Sequence, residues 1–180
     1  MNRRHWLGIA AAAGLAAVGG GVALRRSHDT AGTDAHADAA LWASSFDRLD
    51  GTRLDMSTLR GRPLIVNFWA TWCAPCVREM PLLDKFQTDQ AAAGWQVLGI
   101  AADKDAQVRE FIDRLSIRLP IVMAGASGLA LSRQLGNDMG GLPFTVVADH
   151  EGTIRVRKAG EVHAEDLAAW AARWGRPPSA

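Results

Sequence analysis

Apolar and polar positions along this 180-residue chain change period several times, and each change predicts an element. Residues 1–26 open with Arg3 and Arg4, continue as an apolar Ala/Gly/Leu/Val run from Trp6 to Leu24, and close on Arg25-Arg26. The run shows no polar face, so it does not suit an amphipathic helix. A basic start joined to an apolar run is the pattern of a targeting or anchoring segment. The run is just long enough to cross a bilayer, yet its Gly and Ala content makes insertion only modestly favourable. A cleaved signal peptide and a retained membrane anchor therefore both stand open. Ala35-His36-Ala37 offers the small residues that a signal peptidase needs, and Asn2-Arg3-Arg4-His5-Trp6-Leu7 is similar to a twin-arginine export signal, with Trp in place of the usual Phe. From Ser27 to about Ala40 the composition turns polar and small, which predicts a linker. The organisation expected is an export segment plus linker over 1–37 and one domain over 38–180.

Within that domain, Asp50-Gly51 between the short mixed segments of Phe46 to Leu54 predicts a β-hairpin. Leu64 to Trp69 is a near-continuous apolar run after Gly61-Arg62-Pro63, the pattern of a central strand covered on both faces. A helix is predicted from Cys73 to about Ala93, kinked at Pro81 and stopped at Gly94. A second buried strand is predicted over Trp95 to Ala101. Val108, Phe111, Ile112 and Leu115 fall at i, i+3, i+4 and i+7, which places an amphipathic helix over Asp105 to Leu115. A strand near Leu119 to Met123 follows, then a helix capped by Ser127 and ended at Gly136. Phe144 to Ala148 and Thr153 to Lys158 predict an antiparallel pair, and Leu167, Trp170, Ala171 and Trp174 a final helix. Strands alternating with helices and ending in a hairpin indicate an α/β sandwich with a mixed sheet.

Charge removes one class of function. Without residues 1–37 the chain loses Arg3, Arg4, Arg25 and Arg26 against Asp29 and Asp34, so its formal charge passes from +1 to −1. A nearly neutral domain has no basic stripe to neutralise phosphates, so nucleic acid is not an expected partner. The histidines at 5, 28, 36, 150 and 163 show no metal-ligand spacing, and no metal site is expected.

The chain has two cysteines, Cys73 and Cys76, at the exit of the predicted buried strand and the start of the helix. A helix N-terminus stabilises negative charge, so Cys73 is the expected attacking thiolate. Three residues on, Cys76 comes round one turn to its side and can resolve a mixed disulfide, so the pair cycles without a bound cofactor. The competing readings are half of a zinc site, a static disulfide and two reduced core cysteines. Each has a weakness: no further thiols exist, so small a loop removes little chain entropy, and core cysteines have no reason to flank Pro75. Glu79, three residues beyond Cys76, can accept a proton from it and raise the thiol pKa values, or can simply complement the helix dipole. The residues alone leave these two open. Asn67 has the look of an ordinary polar side chain on a strand.

The segment Val66-Asn67-Phe68-Trp69-Ala70-Thr71-Trp72-Cys73-Ala74-Pro75-Cys76 resembles the active-site segment of the thioredoxin superfamily, in its TlpA/ResA-like branch of exported thiol-disulfide oxidoreductases. Pro81 matches the proline of their active-site helix, Gly141-Leu142-Pro143 resembles their cis-proline loop, and Asp105 to Met123 resembles their central helix-strand insertion. The likeness covers about Phe46 to Trp174. It implies a thioredoxin-like sandwich with an N-terminal hairpin and that insertion. It also implies a cis bond before Pro143 that offers the Leu142 backbone to an extended substrate, and an acidic active-site role for Glu79. A buried acid common at the Asn67 position of cytoplasmic thioredoxins is absent here, which strengthens the case for Glu79. Trp72 and Trp69 are expected partly exposed and packed, respectively, with Trp72, Pro75, Leu142 and Pro143 meeting the substrate.

The activity implied is disulfide reduction outside the cytoplasm, at the periplasmic or outer face of the membrane. Electrons would come from a membrane thiol-disulfide donor, and the clients would be disulfide-bearing proteins such as apocytochrome c or copper-site proteins. Ala74-Pro75 lacks the histidine found between the cysteines of strongly oxidising relatives, which favours reduction. A thiol peroxidase would need threonine, proline and arginine donors around Cys73 that the sequence lacks. A copper-binding chaperone could use the same two thiolates, at a spacing shorter than the Cys-x-x-x-Cys of copper-chaperone relatives.

Overall fold

The computed structural model of the chain describes residues 35–175. The chain divides into two units, Met1–His36 and Ala37–Ala180, and almost all described residues belong to the second. The expected export segment and the linker as far as residue 34 lie outside the described residues. The last part of the expected linker is corrected. Residues 35–43 form a helix, α1, in which Ala37, Leu41 and Trp42 are buried. The reason is an apolar stripe at helical spacing in an Ala-rich stretch, supported from outside the helix. Trp42 Nε1 donates to the Gly152 carbonyl at 2.6 Å, and the Ile154 N–H donates to the Asp38 carboxylate at 2.9 Å.

The rest alternates as the sequence leads one to expect: β1 (Ser45–Arg48), β2 (Arg53–Asp55), β3 (Leu64–Trp69), α2 (Ala74–Gln90), β4 (Gln96–Ala101), α3 (Asp105–Leu115), β5 (Ile121–Met123), α4 (Gly125–Gln134), β6 (Phe144–Ala148), β7 (Ile154–Ala159) and α5 (Ala164–Trp174). The seven strands make one sheet in the order β2-β1-β5-β4-β3-β6-β7. Strand β3 pairs parallel to β4 and antiparallel to β6, so the sheet is mixed. The α3–β5 unit adds a strand parallel to β4 and antiparallel to β1, and is the central insertion.

All six residues of β3 and all six of β4 are buried, which is why both read as mainly apolar runs, with Asn67 and Gln96 as the polar exceptions. Alternate side chains serve two cores. Ile65 and Trp69 join Met80, Leu83, Phe111 and Trp170 on one face, whereas Leu64, Val66 and Phe68 join Leu41, Met56 and Leu131 on the other. Helices α2, α3 and α5 thus share one core with the sheet, and α1 and α4 the second.

Three boundaries differ from expectation. Helix α2 runs through Pro81, as expected, but ends at Gln90, and a 3-10 turn over Ala91–Ala93 carries the chain to Gly94. Pro81 is exposed on the helix surface and leaves the Val77 carbonyl without its helical donor. Strand β5 starts after Pro120 instead of at Leu119, because the Arg118 and Leu119 N–H groups turn to the Asp84 carboxylate at 2.8 and 2.6 Å. Helix α4 begins at Gly125, and Ser127 lies inside it, its hydroxyl donating to the Ala124 carbonyl at 2.6 Å rather than capping.

Candidate active site

Two loops at the same end of the sheet frame the cysteines. The first leaves β3. The Ala102 N–H donates to the Trp69 carbonyl at 2.9 Å, and the Thr71 N–H and hydroxyl both donate to Asp103 Oδ2 at 2.9 and 2.6 Å. Burial pushes the Asp103 carboxyl up, but the bonds from Thr71 and the Lys104 N–H outweigh it and hold the group below its ordinary value. An ionised acceptor therefore pins the turn that leads into Trp72.

The second loop enters β6. Leu142–Pro143 is cis, Pro143 is buried and Leu142 half-buried. The Asn137 amide donates to the Gly141 carbonyl at 2.8 Å, and the Gly160 N–H to the Pro143 carbonyl at 2.9 Å. Because Phe144 pairs with Phe68 in the antiparallel register, residue 143 comes opposite the exit of β3. The cis-proline loop and the cysteine turn are thus neighbours by sheet register.

Cys73 caps α2 and accepts the Cys76 N–H on its sulfur at 3.3 Å. Pro75 sits in the first turn of the helix, where its missing N–H costs nothing. The sulfurs of Cys73 and Cys76 are joined in a disulfide, with the Cα atoms 5.3 Å apart. Cys73 retains 6% exposure and Cys76 none. Trp72 is 68% exposed, while Trp69 is fully buried against Phe111. Among the described residues no group of three or more His, Cys, Asp and Glu could hold a metal ion.

Glu79 lies one turn beyond Cys76 and is only 1% exposed. Its Oε2 accepts the Val162 N–H at 2.6 Å and its Oε1 accepts the Asn67 amide at 2.8 Å. Burial above all raises its pKa to about 7; the two hydrogen bonds and the Lys158 charge act the other way, and the Glu161 charge adds to the rise. A group near 7 can both take and give a proton at neutral pH. Glu79 is therefore no surface acid merely complementing a helix dipole.

Several residues of this site carry no signal in the sequence. Asn67 is fully buried, and its amide nitrogen also donates to Thr145 Oγ1 at 2.9 Å, while its Oδ1 has no hydrogen-bond partner among the described residues. Leaving such an acceptor unpaired costs about 1–3 kcal/mol. Asp103 and Thr145 read in sequence as a loop acid and a strand residue. Val162 acts through its backbone, which no residue type announces. At the surface, the Arg78 guanidinium bridges to the Glu161 carboxylate at 2.5 Å and ties α2 to the segment before α5.

Comparison with known proteins agrees with this geometry. The Redoxin family model matches residues 33–171. The thiol-disulfide oxidoreductase ResA of Bacillus thuringiensis (strain Al Hakam) is 28% identical over 120 residues, which is 66% of this chain and 67% of that one. A thiol:disulfide interchange protein of the thioredoxin family from Chlorobium tepidum TLS superposes with a TM-score of 0.66 at 26% identity, over 73% of this chain and 92% of that one. A secreted thiol-disulfide isomerase from Corynebacterium glutamicum gives 0.67 at 25% identity, over 75% and 84%. With a thioredoxin-like fold, a disulfide at the head of α2 and these relatives, the chain belongs to the Redoxin family as a TlpA/ResA-like thiol-disulfide oxidoreductase.

Proposed function

We propose that the chain works outside the cytoplasm as a reductase of disulfides in client proteins. The observation that carries the reading is the Cys73–Cys76 disulfide at the N-terminus of α2, with the more exposed cysteine, Cys73, next to an exposed Trp72. In the reduced protein the Cys73 thiolate attacks a client disulfide, forming a mixed disulfide and releasing one client thiolate. Glu79 accepts the Cys76 proton. The Cys76 thiolate then attacks Cys73 Sγ, the intramolecular disulfide re-forms, and the second client sulfur leaves as a thiolate. Two electrons pass to the client, and a membrane dithiol donor returns them by the same exchange in reverse, so no bound cofactor is required.

An extended client strand would lie along the Leu142 backbone, with Trp72, Pro75 and Pro143 bordering it. Apocytochrome c and copper-site proteins are the client classes that suit such a reductase. Export is supported by the basic-apolar start of the sequence and by the secreted relative from Corynebacterium glutamicum. No helix among the described residues is long and apolar enough to cross a membrane. The N-terminal segment would serve export either as a cleaved signal peptide or as a retained anchor. The test is insulin-disulfide reduction beside Cu(I) affinity, with an export-dependent reporter fused after residue 45. Reduction with weak copper binding and an exported reporter is the expected result. Tight Cu(I) binding without reduction would assign the thiolates to metal handling, and a reporter confined to the cytoplasm would overturn export.

A further inference from the structure

We infer that Asn67 is a positioning residue of this active site: anchored on Thr145 of the strand that follows cis-Pro143, its amide fixes the Glu79 carboxylate one turn beyond Cys76. The inference rests on the reading of Glu79 as the group that takes the Cys76 proton.

Asn67 occupies the middle of a strand whose six residues are all buried, on the face shared by Ile65 and Trp69. A β-branched apolar residue would serve packing there without burying an amide. Instead, the register sets Asn67 opposite Thr145 on β6 and Gly99 on β4. Both hydrogens of its amide are used, one on Glu79 Oε1 at 2.8 Å and one on Thr145 Oγ1 at 2.9 Å. The opposite amide orientation would set Oδ1 against the carboxylate oxygen and strand two buried hydrogens, so only this orientation suits an ionised Glu79. The remaining Oδ1 is left without a partner among the described residues. A buried polar group that accepts such a penalty calls for a reason, and such exceptions concentrate at functional sites. Here the reason is aim: one donor holds the carboxylate and the other ties the holder to the strand that starts at the cis-proline loop.

The second clamp on Glu79 is the Val162 N–H, so one oxygen is fixed from the sheet and the other from the segment before α5. The charges facing the carboxylate are Glu161 from that segment, itself paired with Arg78 of α2, and Lys158 of β7, paired with Asp166 of α5. None of these comes from β3 or β6. Asn67 provides the hydrogen bond that β3 supplies to the group.

The test uses the full chain labelled with carboxyl-13C glutamate, the Glu79 signal being assigned by its loss in Glu79→Gln. Asn67→Leu removes the donor at similar volume, Thr145→Val removes only its anchor, and Thr145→Ser restores the anchor. Loss of a donor that favours the ionised form should raise Glu79 proton affinity about tenfold in Asn67→Leu, and less in Thr145→Val. Thr145→Ser should return it to the wild-type value. The pH profile of mixed-disulfide resolution should move with the carboxyl titration. An unmoved Glu79 titration in a folded Asn67→Leu or, if that variant does not fold, in Thr145→Val would overturn the inference. Wild-type resolution kinetics in Glu79→Gln would instead sink the proton-acceptor reading, and that outcome leaves the carboxyl titrations of the other variants legible on their own.

Discussion

The backbone N–H of Val162 donates to Oε2 of Glu79 over 2.6 Å, so a buried carboxylate joins the active-site helix to a segment 83 positions later in the chain. Glu79 thereby serves the fold and the site at once, and the two roles oppose each other. Burial favours its protonated form, with a pKa of about 7 against the ordinary 4.5. Below pH 4.5 the group is protonated in both the folded and unfolded states and stability does not depend on it. Between about 4.5 and 7 the unfolded chain ionises first, the folded chain binds more protons, and stability falls as pH rises. Above about 7 the loss is complete, on the order of 3 kcal/mol at 1.36 kcal/mol per pKa unit. Glu79→Gln should remove this slope, so denaturant midpoints of the two proteins should converge towards pH 4.5 and diverge towards pH 7. Parallel curves across that window would mean that Glu79 is not buried as an acid.

Cys76→Ser should accumulate mixed disulfides with clients, because attack by Cys73 survives when resolution does not. In the reduced protein Cys73 should alkylate faster than Cys76, whose sulfur has no exposure in the oxidised pair against 6% for Cys73. Mass spectrometry after short iodoacetamide pulses reads the order. Faster labelling of Cys76, or equal client trapping by Cys73→Ser, would reverse the assignment.

Much of this architecture was legible because apolar burial writes its own period. Leu64–Trp69 is buried on both faces and shows an apolar run broken only at Asn67, and Val108 and Phe111 mark α3 at helical spacing. The cysteine turn was legible because its chemistry is confined to neighbours in the chain. The support around it was not. Asn67, Thr145 and Val162 meet Glu79 or one another across 12, 78 and 83 positions, through one amide and one backbone N–H, and no local pattern announces such a meeting. Residues 35–40 read as linker in the sequence because small alanines hide an apolar stripe that becomes visible only when Leu41 and Trp42 are counted with it.

Asp103 should matter more for the site than for the core. Asp103→Ala removes the acceptor of both the Thr71 N–H and hydroxyl, freeing the turn before Trp72. A stability loss of about 1–3 kcal/mol is expected, with a larger relative drop in insulin reduction. Asp103→Asn keeps one acceptor oxygen and should recover most of both. A variant that lost stability yet reduced insulin at the wild-type rate would show that the turn needs no such anchor.

Gly99 stands where β4 passes Trp69, and an added Cβ would lie 3.0 Å from Trp69 Nε1 and 3.2 Å from Ile121 Cγ1. Both neighbours are buried in the core shared with α2, so neither can swing away into solvent. Gly99→Ala should cost about 1–3 kcal/mol through overpacking. Thermal unfolding measures it, and an unchanged midpoint would mean that the Trp69 ring has room to shift.

The direction of electron flow follows from the same carboxylate. Above pH 7 Glu79 is largely ionised, and a negative charge one turn from Cys76 disfavours the thiolates of the reduced pair. Glu79→Gln should therefore lower the thiol pKa values, which start from a free-cysteine reference of about 8.5. A better stabilised thiolate makes the reduced form easier to hold, so the variant should be more oxidising at pH 7 than the wild type. The wild type itself should lie nearer the reducing value of roughly −270 mV than the oxidising end near −120 mV, because Ala74-Pro75 places no histidine between the cysteines. Equilibration of both proteins with a glutathione or dithiothreitol series, with thiolate absorbance followed over pH, reads potential and pKa together. A wild-type potential near the oxidising end would reject the reductase direction, and identical thiol titrations in the two proteins would confine Glu79 to the fold.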